Sequence, residues 1–233
     1  MGREVQGVPD PGKNVLPRWA SLLVVVAHPD DESFGLGAIL HAFSSAGAGV
    51  ELLCFTRGEA STLHGVPGDL AVVRKAELEA AAAALGVNRT TLRDYADGAL
   101  GAVNADTLAA EVVSAIQAQR PDGLLVFDDS GVTGHPDHVA ATAAALAAAE
   151  AMDLPLLGWT LPGGVALELN REFGAAFTGY PAGEIDLMIP VDRERQYAAI
   201  QAHASQAVPG SVLWRRLELL GDAECLRWLR RPD

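Results

Sequence analysis

The chain is short of cysteine and of positive charge. Its 233 residues include two cysteines, Cys54 and Cys225. That is too few for a disulfide framework, and neither belongs to a cysteine-rich metal motif. Both read as reduced packing residues. Lysine and arginine number 17 against 30 aspartates and glutamates, for a net charge of −13. Such a surface repels phosphate backbones, which argues against nucleic acid as a partner. It also disfavours heavily anionic small molecules unless local arginines compensate. No apolar run is long enough for a membrane span, and Met1 to Trp19 carry no apolar signal core. The expectation is a cytoplasmic protein with no integral membrane segment. What the chain does have is apolar bulk, 49% of its residues, enough for a substantial core.

Residues 1–18 read as a flexible arm, punctuated by Pro9, Pro11, Gly12 and Pro17, and 19–233 as a single domain. Short apolar runs at 22–26, 50–56, 90–95, 124–127, 156–161 and 185–191 predict strands. Between and after them, helices are expected at 33–46, 70–85, 107–119, 138–152, 192–204 and 211–230. In the helix at 70–85, Arg74, Lys75, Glu77 and Glu79 are assigned to the wet side. The last segment, with Trp214 and Trp228, reads as an amphipathic closing helix. The alternation predicts an α/β fold, a mostly parallel sheet with helices on both faces. The alanine runs at 80–84 and 143–149 read as close-packing helix faces.

Two histidine–aspartate clusters sit where strands should end. Ala27-His28-Pro29-Asp30-Asp31-Glu32 follows the first apolar run, and His135-Pro136-Asp137-His138 follows the fourth. In a parallel sheet both junctions reach the carboxyl edge, where open α/β folds place ligands. Pro29 stiffens the first loop, as a metal ligand requires. Imidazole and carboxylate suit zinc, and Asp31 is assigned to the metal with His28, Asp30 to the attacking water. Pro136 suits a first helical position, so His135 and His138 share a helix face. His138 is the expected ligand. His135 is the acid–base or oxyanion-stabilising candidate, and Asp137 is placed behind the ligands to orient an imidazole. Glu32 reads as a helix-start or supporting residue. Together the clusters indicate a metal hydrolase.

With both in view, the chain resembles the PIG-L / LmbE-like N-deacetylases over most of residues 20–206. The resemblance rests on 27–32, Thr56-Arg57-Gly58-Glu59, Gly134-His135-Pro136-Asp137-His138 and His203-Ala204-Ser205-Gln206. It implies a Rossmann-like three-layer fold and removal of the N-acetyl group from N-acetylglucosamine-type conjugates. It implies Zn2+ on His28, Asp31 and His138, with Asp30 as general base and His135 stabilising the tetrahedral intermediate. Arg57 resembles a substrate-contacting arginine, and His203 frames the site. Some relatives carry a tyrosine where this chain has Thr133.

Other readings compete. The same two-histidine, one-carboxylate set suits Fe2+, but the spare Asp30 favours hydrolysis. Gly35-Leu36-Gly37 begins like a dinucleotide fingerprint, yet Leu40 replaces its third glycine, so close packing is the simpler account. A non-catalytic relative would need neither Asp30 nor His135. A longer N-acyl amide on a sugar is a further alternative. His41 reads as a packed or surface residue and His64 as a loop residue without chemistry. The substrate is expected to be a small amino-sugar conjugate recognised by loops 57–68, 96–104 and 162–182. Homo-oligomerisation is compatible with the sequence.

Overall fold

A computed structural model of the protein describes residues 14–63 and 67–232. The strands are β1 (Ser21–Val26), β2 (Gly49–Thr56), β3 (Arg89–Tyr95), β4 (Gly123–Phe127), β5 (Leu156–Thr160), β6 (Leu187–Pro190) and β7 (Ala223–Arg230). They form one sheet in the order β3-β2-β1-β4-β5-β7-β6. The stretch β3 to β5 is parallel. β7 runs antiparallel to both β5 and β6. The helices are α1 (Asp31–Phe34), α2 (Gly37–Ser45), α3 (Leu70–Leu85), α4 (Ala105–Gln119), α5 (Gly131–Gly134), α6 (Pro136–Met152), α7 (Gly163–Phe173), α8 (Glu194–Ala202) and α9 (Val212–Leu220).

Side-chain alternation along β1 creates the layers. Leu22, Val24 and Val26 join a core with Ile39, Leu40, Leu78 and Leu85 from α2 and α3. Leu23 and Val25 join another with Leu108, Val112 and Ile116 from α4 and the alanine face of α6. This is the expected Rossmann-like α/β sandwich. Burying each large apolar side chain contributes about 1.5–3 kcal/mol. The small alanines let α6 approach the sheet closely; Ala145 and Ala149 are fully buried.

Several expectations need correction. The single helix at 33–46 is two, α1 and α2, separated at Gly35 and Leu36. A side chain at Gly35 would put its Cβ 2.3 Å from the Phe127 ring, so the first glycine of the Gly-x-Gly serves packing. The closing helix 211–230 ends at Leu220, and Ala223–Arg230 is β7. Gly221, at φ 58°, turns the chain, and pairing with β5 and β6 supplies the strand that composition did not announce. Residues 163–173, expected as loop, are α7. Arg74 and Glu77, expected on the wet side of α3, are buried. In the expected arm, residues 1–13 lie outside the described part, while Leu16 packs on the core. His64 is also outside it. Among the described residues, no helix is long and apolar enough to cross a membrane.

Candidate metal centre and its pocket

Strand order reverses at β1, with β2 on one side and β4 on the other. The loops leaving the carboxyl ends of β1 and β4 therefore face one crevice, the ligand position of open α/β sheets. His28 to Asp31 comes from the first loop. The second loop turns through Gly131, Val132 and Gly134, all at positive φ, and delivers His135 and His138 at the start of α6. Gly131 lets this turn lie against α6: a Cβ there would stand 2.9 Å from Val139 Cγ2.

Three side chains meet, with Asp31 turning a different carboxylate oxygen to each histidine. His28 Nδ1 lies 3.2 Å from His138 Nε2. His138 Nε2 lies 3.1 Å from Asp31 Oδ1, and His28 Nδ1 lies 3.6 Å from Asp31 Oδ2. Ligand atoms on a tetrahedral zinc, each about 2.0–2.1 Å from the ion, stand roughly 3.3 Å apart. The outer nitrogens settle the tautomers. His28 Nε2 faces Asp137 Oδ2 at 3.2 Å and Asp97 Oδ1 at 3.1 Å, so it carries the proton. His138 Nδ1 meets the Gly131 carbonyl at 3.1 Å and donates to it. With both rings neutral, the inner nitrogens would present lone pairs to each other and to a carboxylate, a conflict that an added proton or a metal cation resolves. The donor set fits a divalent metal ion.

Charge around the triangle agrees. Burial lowers the His28 pKa, but Asp137, Asp31 and Asp97 outweigh it and push it up to about 12; the surroundings call for positive charge at this spot. Burial would raise Asp31, yet the adjoining His138 and His28 hold it well below the usual carboxylate range. The amides of Ala27 and His28 also donate to Asp31 Oδ2, at 3.2 and 2.8 Å. Asp137 accepts from the amides of Gly98 and Leu100 at 2.8 and 3.0 Å, which ties His28 to the loop after β3.

Asp30 stands beside the triangle without belonging to it. Its φ of 104° is left-handed, a strained conformation for a residue other than glycine. Glu32 Oε2 accepts from its amide at 2.9 Å. Arg74 Nη2 lies 3.1 Å from Asp30 Oδ1 and donates to the Pro29 carbonyl, while Nη1 donates to the Gly58 carbonyl at 2.6 Å. Burial raises the Asp30 pKa to about 6 against the opposing pull of Arg74. His203, wholly buried, bonds Glu32 at 2.6 Å through Nε2. Burial disfavours charge on His203, but Glu32 outweighs it and raises the pKa.

His135 caps α6: its Nδ1 accepts from the Asp137 amide at 3.2 Å. Nε2 therefore bears the proton and is a donor on the pocket side. Burial and the neighbouring His138 and His28 lower its pKa, so it is neutral at neutral pH.

The residues meet in a pocket of about 450 Å³, lined by His28, Asp30, Asp31, His135 and His138 and walled by Phe34, Phe127, Val132, Phe177 and Leu213. Ala60 to Leu63, Asp97, Gly98 and Phe177 bring in each of the three loops expected to read the substrate. Arg57 does not reach it. Its Nε pairs with Asp94 Oδ1 at 2.7 Å on β3, and the arginines lining the pocket are Arg74 and Arg216. Sequence reasoning missed both, and Asp97 as well. In the Thr56–Glu59 motif the structural parts are others. Thr56 Oγ1 donates to the Ala27 carbonyl at 2.9 Å. Gly58 leaves room for Arg74, whose Nη1 would be 2.1 Å from a Cβ there. Glu59 accepts from the Asp97 amide at 2.9 Å. The His203 motif continues similarly: Ser205 bonds Glu77 at 2.6 Å and Gln206 accepts from Ser61 at 2.7 Å.

The chain is similar in sequence and in fold to known deacetylases. A 1D-myo-inositol 2-acetamido-2-deoxy-alpha-D-glucopyranoside deacetylase of Nakamurella multipartita is 32% identical over 246 residues, covering 83% of this chain and 82% of its own. A protein of the same name from Kineococcus radiotolerans is 30% identical, covering 79% and 68%. The fold matches the N,N'-diacetylchitobiose deacetylase of Pyrococcus horikoshii with a TM-score of 0.68 at 20% identity, over 91% of this chain and 84% of that one. The family profile described as PIG-L, GlcNAc-PI de-N-acetylase, matches residues 23–149, the span that carries both histidine–aspartate clusters, and the chain belongs to that family.

Proposed function

We propose that the protein is a zinc-dependent N-deacetylase of N-acetylglucosaminyl conjugates. The observation that carries this reading is a half-buried Asp30 standing beside, and outside, the His28–Asp31–His138 triangle. Those three residues would hold the ion. A divalent ion there supplies a Lewis acid for the amide carbonyl and lowers the pKa of water.

The chain's own groups do the rest. Asp30 takes a proton from the water that attacks the acetyl carbonyl, and a pKa near neutrality suits a general base. The His135 Nε2–H donates to the carbonyl oxygen as negative charge develops there. A preorganised donor of this kind is often worth about 3–4 kcal/mol. Asp30 then returns its proton to the leaving amine, releasing acetate and a free amino sugar. Arg74 fixes the Asp30 carboxylate, and Asp97 and Asp137 orient His28. His203 acts through Glu32, which grips the Asp30 amide. A cytoplasmic setting fits the two buried free cysteines.

A longer N-acyl group is the second reading, favoured by the wall of Phe34, Phe127, Val132 and Phe177. One assay addresses both: release of acid from N-acetyl, N-butanoyl and N-octanoyl glucosaminides by zinc-loaded protein. Acetate release abolished by chelation supports the first reading. A rate that climbs with chain length supports the second, and release that persists after complete chelation contradicts both.

A further inference from the structure

Arg216, on α9, lines the pocket while only 4% exposed. Its guanidinium lies over the Trp159 ring, 4.9 Å from the centroid, and Nη2 donates to the Phe34 carbonyl at 2.5 Å. Stacked and tethered, the planar fork cannot swing away. Yet Nε has no hydrogen-bond partner, and among the described residues no carboxylate pairs with it.

Three carboxylates, Glu224, Asp31 and Asp30, act on Arg216 through space, and each is engaged elsewhere. Arg193 and Arg216 are both buried, and so is Glu224, on which both act. Glu224 is engaged by Arg193 and by Trp159 Nε1 at 2.6 Å. On the other side, Asp31 belongs to the donor triangle and Asp30 is held by Arg74. Burial lowers the Arg216 pKa to about 10, which leaves it charged at neutral pH. A buried cation without a paired carboxylate is costly, and here it borders the space that substrate must enter. The chain's net charge of −13 would repel an anionic substrate, so such a substrate requires a local cation of this kind.

We propose that Arg216 binds an anionic oxygen group, a carboxylate or a phosphate, on the substituent that the amino sugar carries. The inference rests on the deacetylase reading and narrows its substrate class. A pocket of about 450 Å³ has room for a sugar and a small charged substituent.

The test is calorimetry on zinc-loaded protein with three amines that cannot be deacetylated: methyl glucosaminide, carboxymethyl glucosaminide and glucosamine 1-phosphate. At least one anionic compound should bind tenfold or more tightly than the methyl glycoside, and the tighter arm identifies the group. Arg216→Gln should bring the ratio to within twofold. If that variant does not fold, Arg216→Lys, which keeps the charge without the fork, should cut the ratio at least threefold. Equal affinities in the wild type, no binding of either anion, or an anionic advantage that survives both substitutions overturns the proposal. Acetate release from the N-acetyl forms is scored separately. Anionic preference without acetate release would sink the deacetylase reading and leave the Arg216 subsite standing. Acetate release without anionic preference does the reverse.

Discussion

At Asp30 a left-handed backbone, a half-buried carboxylate and an arginine meet in one residue. The strain is of order 1–3 kcal/mol. It persists because the Glu32 carboxylate grips the amide and Arg74 binds the Pro29 carbonyl on the preceding residue. Arg74 also lowers the Asp30 pKa, against burial that raises it to about 6. A base works when deprotonated, so kcat/KM should rise with pH through an acid limb at or below pH 6, since a bound cation favours the carboxylate further. Removing Arg74 removes a stabiliser of that carboxylate. Arg74→Met should therefore move the acid limb to higher pH, measured from the pH profile of kcat/KM, and an unmoved limb would contradict the assignment. His203→Asn tests the remoter support. Loosening Glu32 should lower kcat about tenfold or more while leaving KM nearly unchanged, as expected for misplacing a catalytic group.

Among the elements, Gly35 shows how packing fixes the site. It carries α1 past Phe127, which lines the pocket, and a Cβ there would collide with the ring. Gly35→Ala should lower stability by about 1–3 kcal/mol, as overpacking does, seen as a drop in Tm. The parallel elements were legible because short apolar runs alternate with long polar–apolar helices. The placement of His28 and His138 beyond strand ends was legible because Pro29 and Pro136 mark stiff turns there. β7 was not legible: Cys225-Leu226-Arg227-Trp228-Leu229 has no β-branched residue, and its strand character comes from neighbours β5 and β6. Arg74 was misread for a related reason. Periodicity placed a charged side chain toward water, whereas its partners, Asp30 and the Pro29 and Gly58 carbonyls, come from other elements. Arg57 illustrates the converse. Its motif does stand at the site, but through Thr56, Gly58 and Glu59.

For the whole molecule, the sheet brings distant segments together at the β1–β4 reversal, so an ion held there would link its binding to folding. An ion that binds only the folded state stabilises it by about 4 kcal/mol at a thousandfold excess over Kd. For a chain of this size that corresponds to roughly 8–16 °C in Tm. Chelation should lower Tm by an amount in that range, and His28→Ala should abolish the difference between loaded and chelated protein. The most direct test of the account is acetate release per bound zinc, measured side by side for wild type and Asp30→Asn. The account predicts one zinc per chain in both proteins and turnover in the wild type alone, reduced about a hundredfold or more in the variant. Loss of zinc together with activity, or turnover by Asp30→Asn at the wild-type rate, would contradict it.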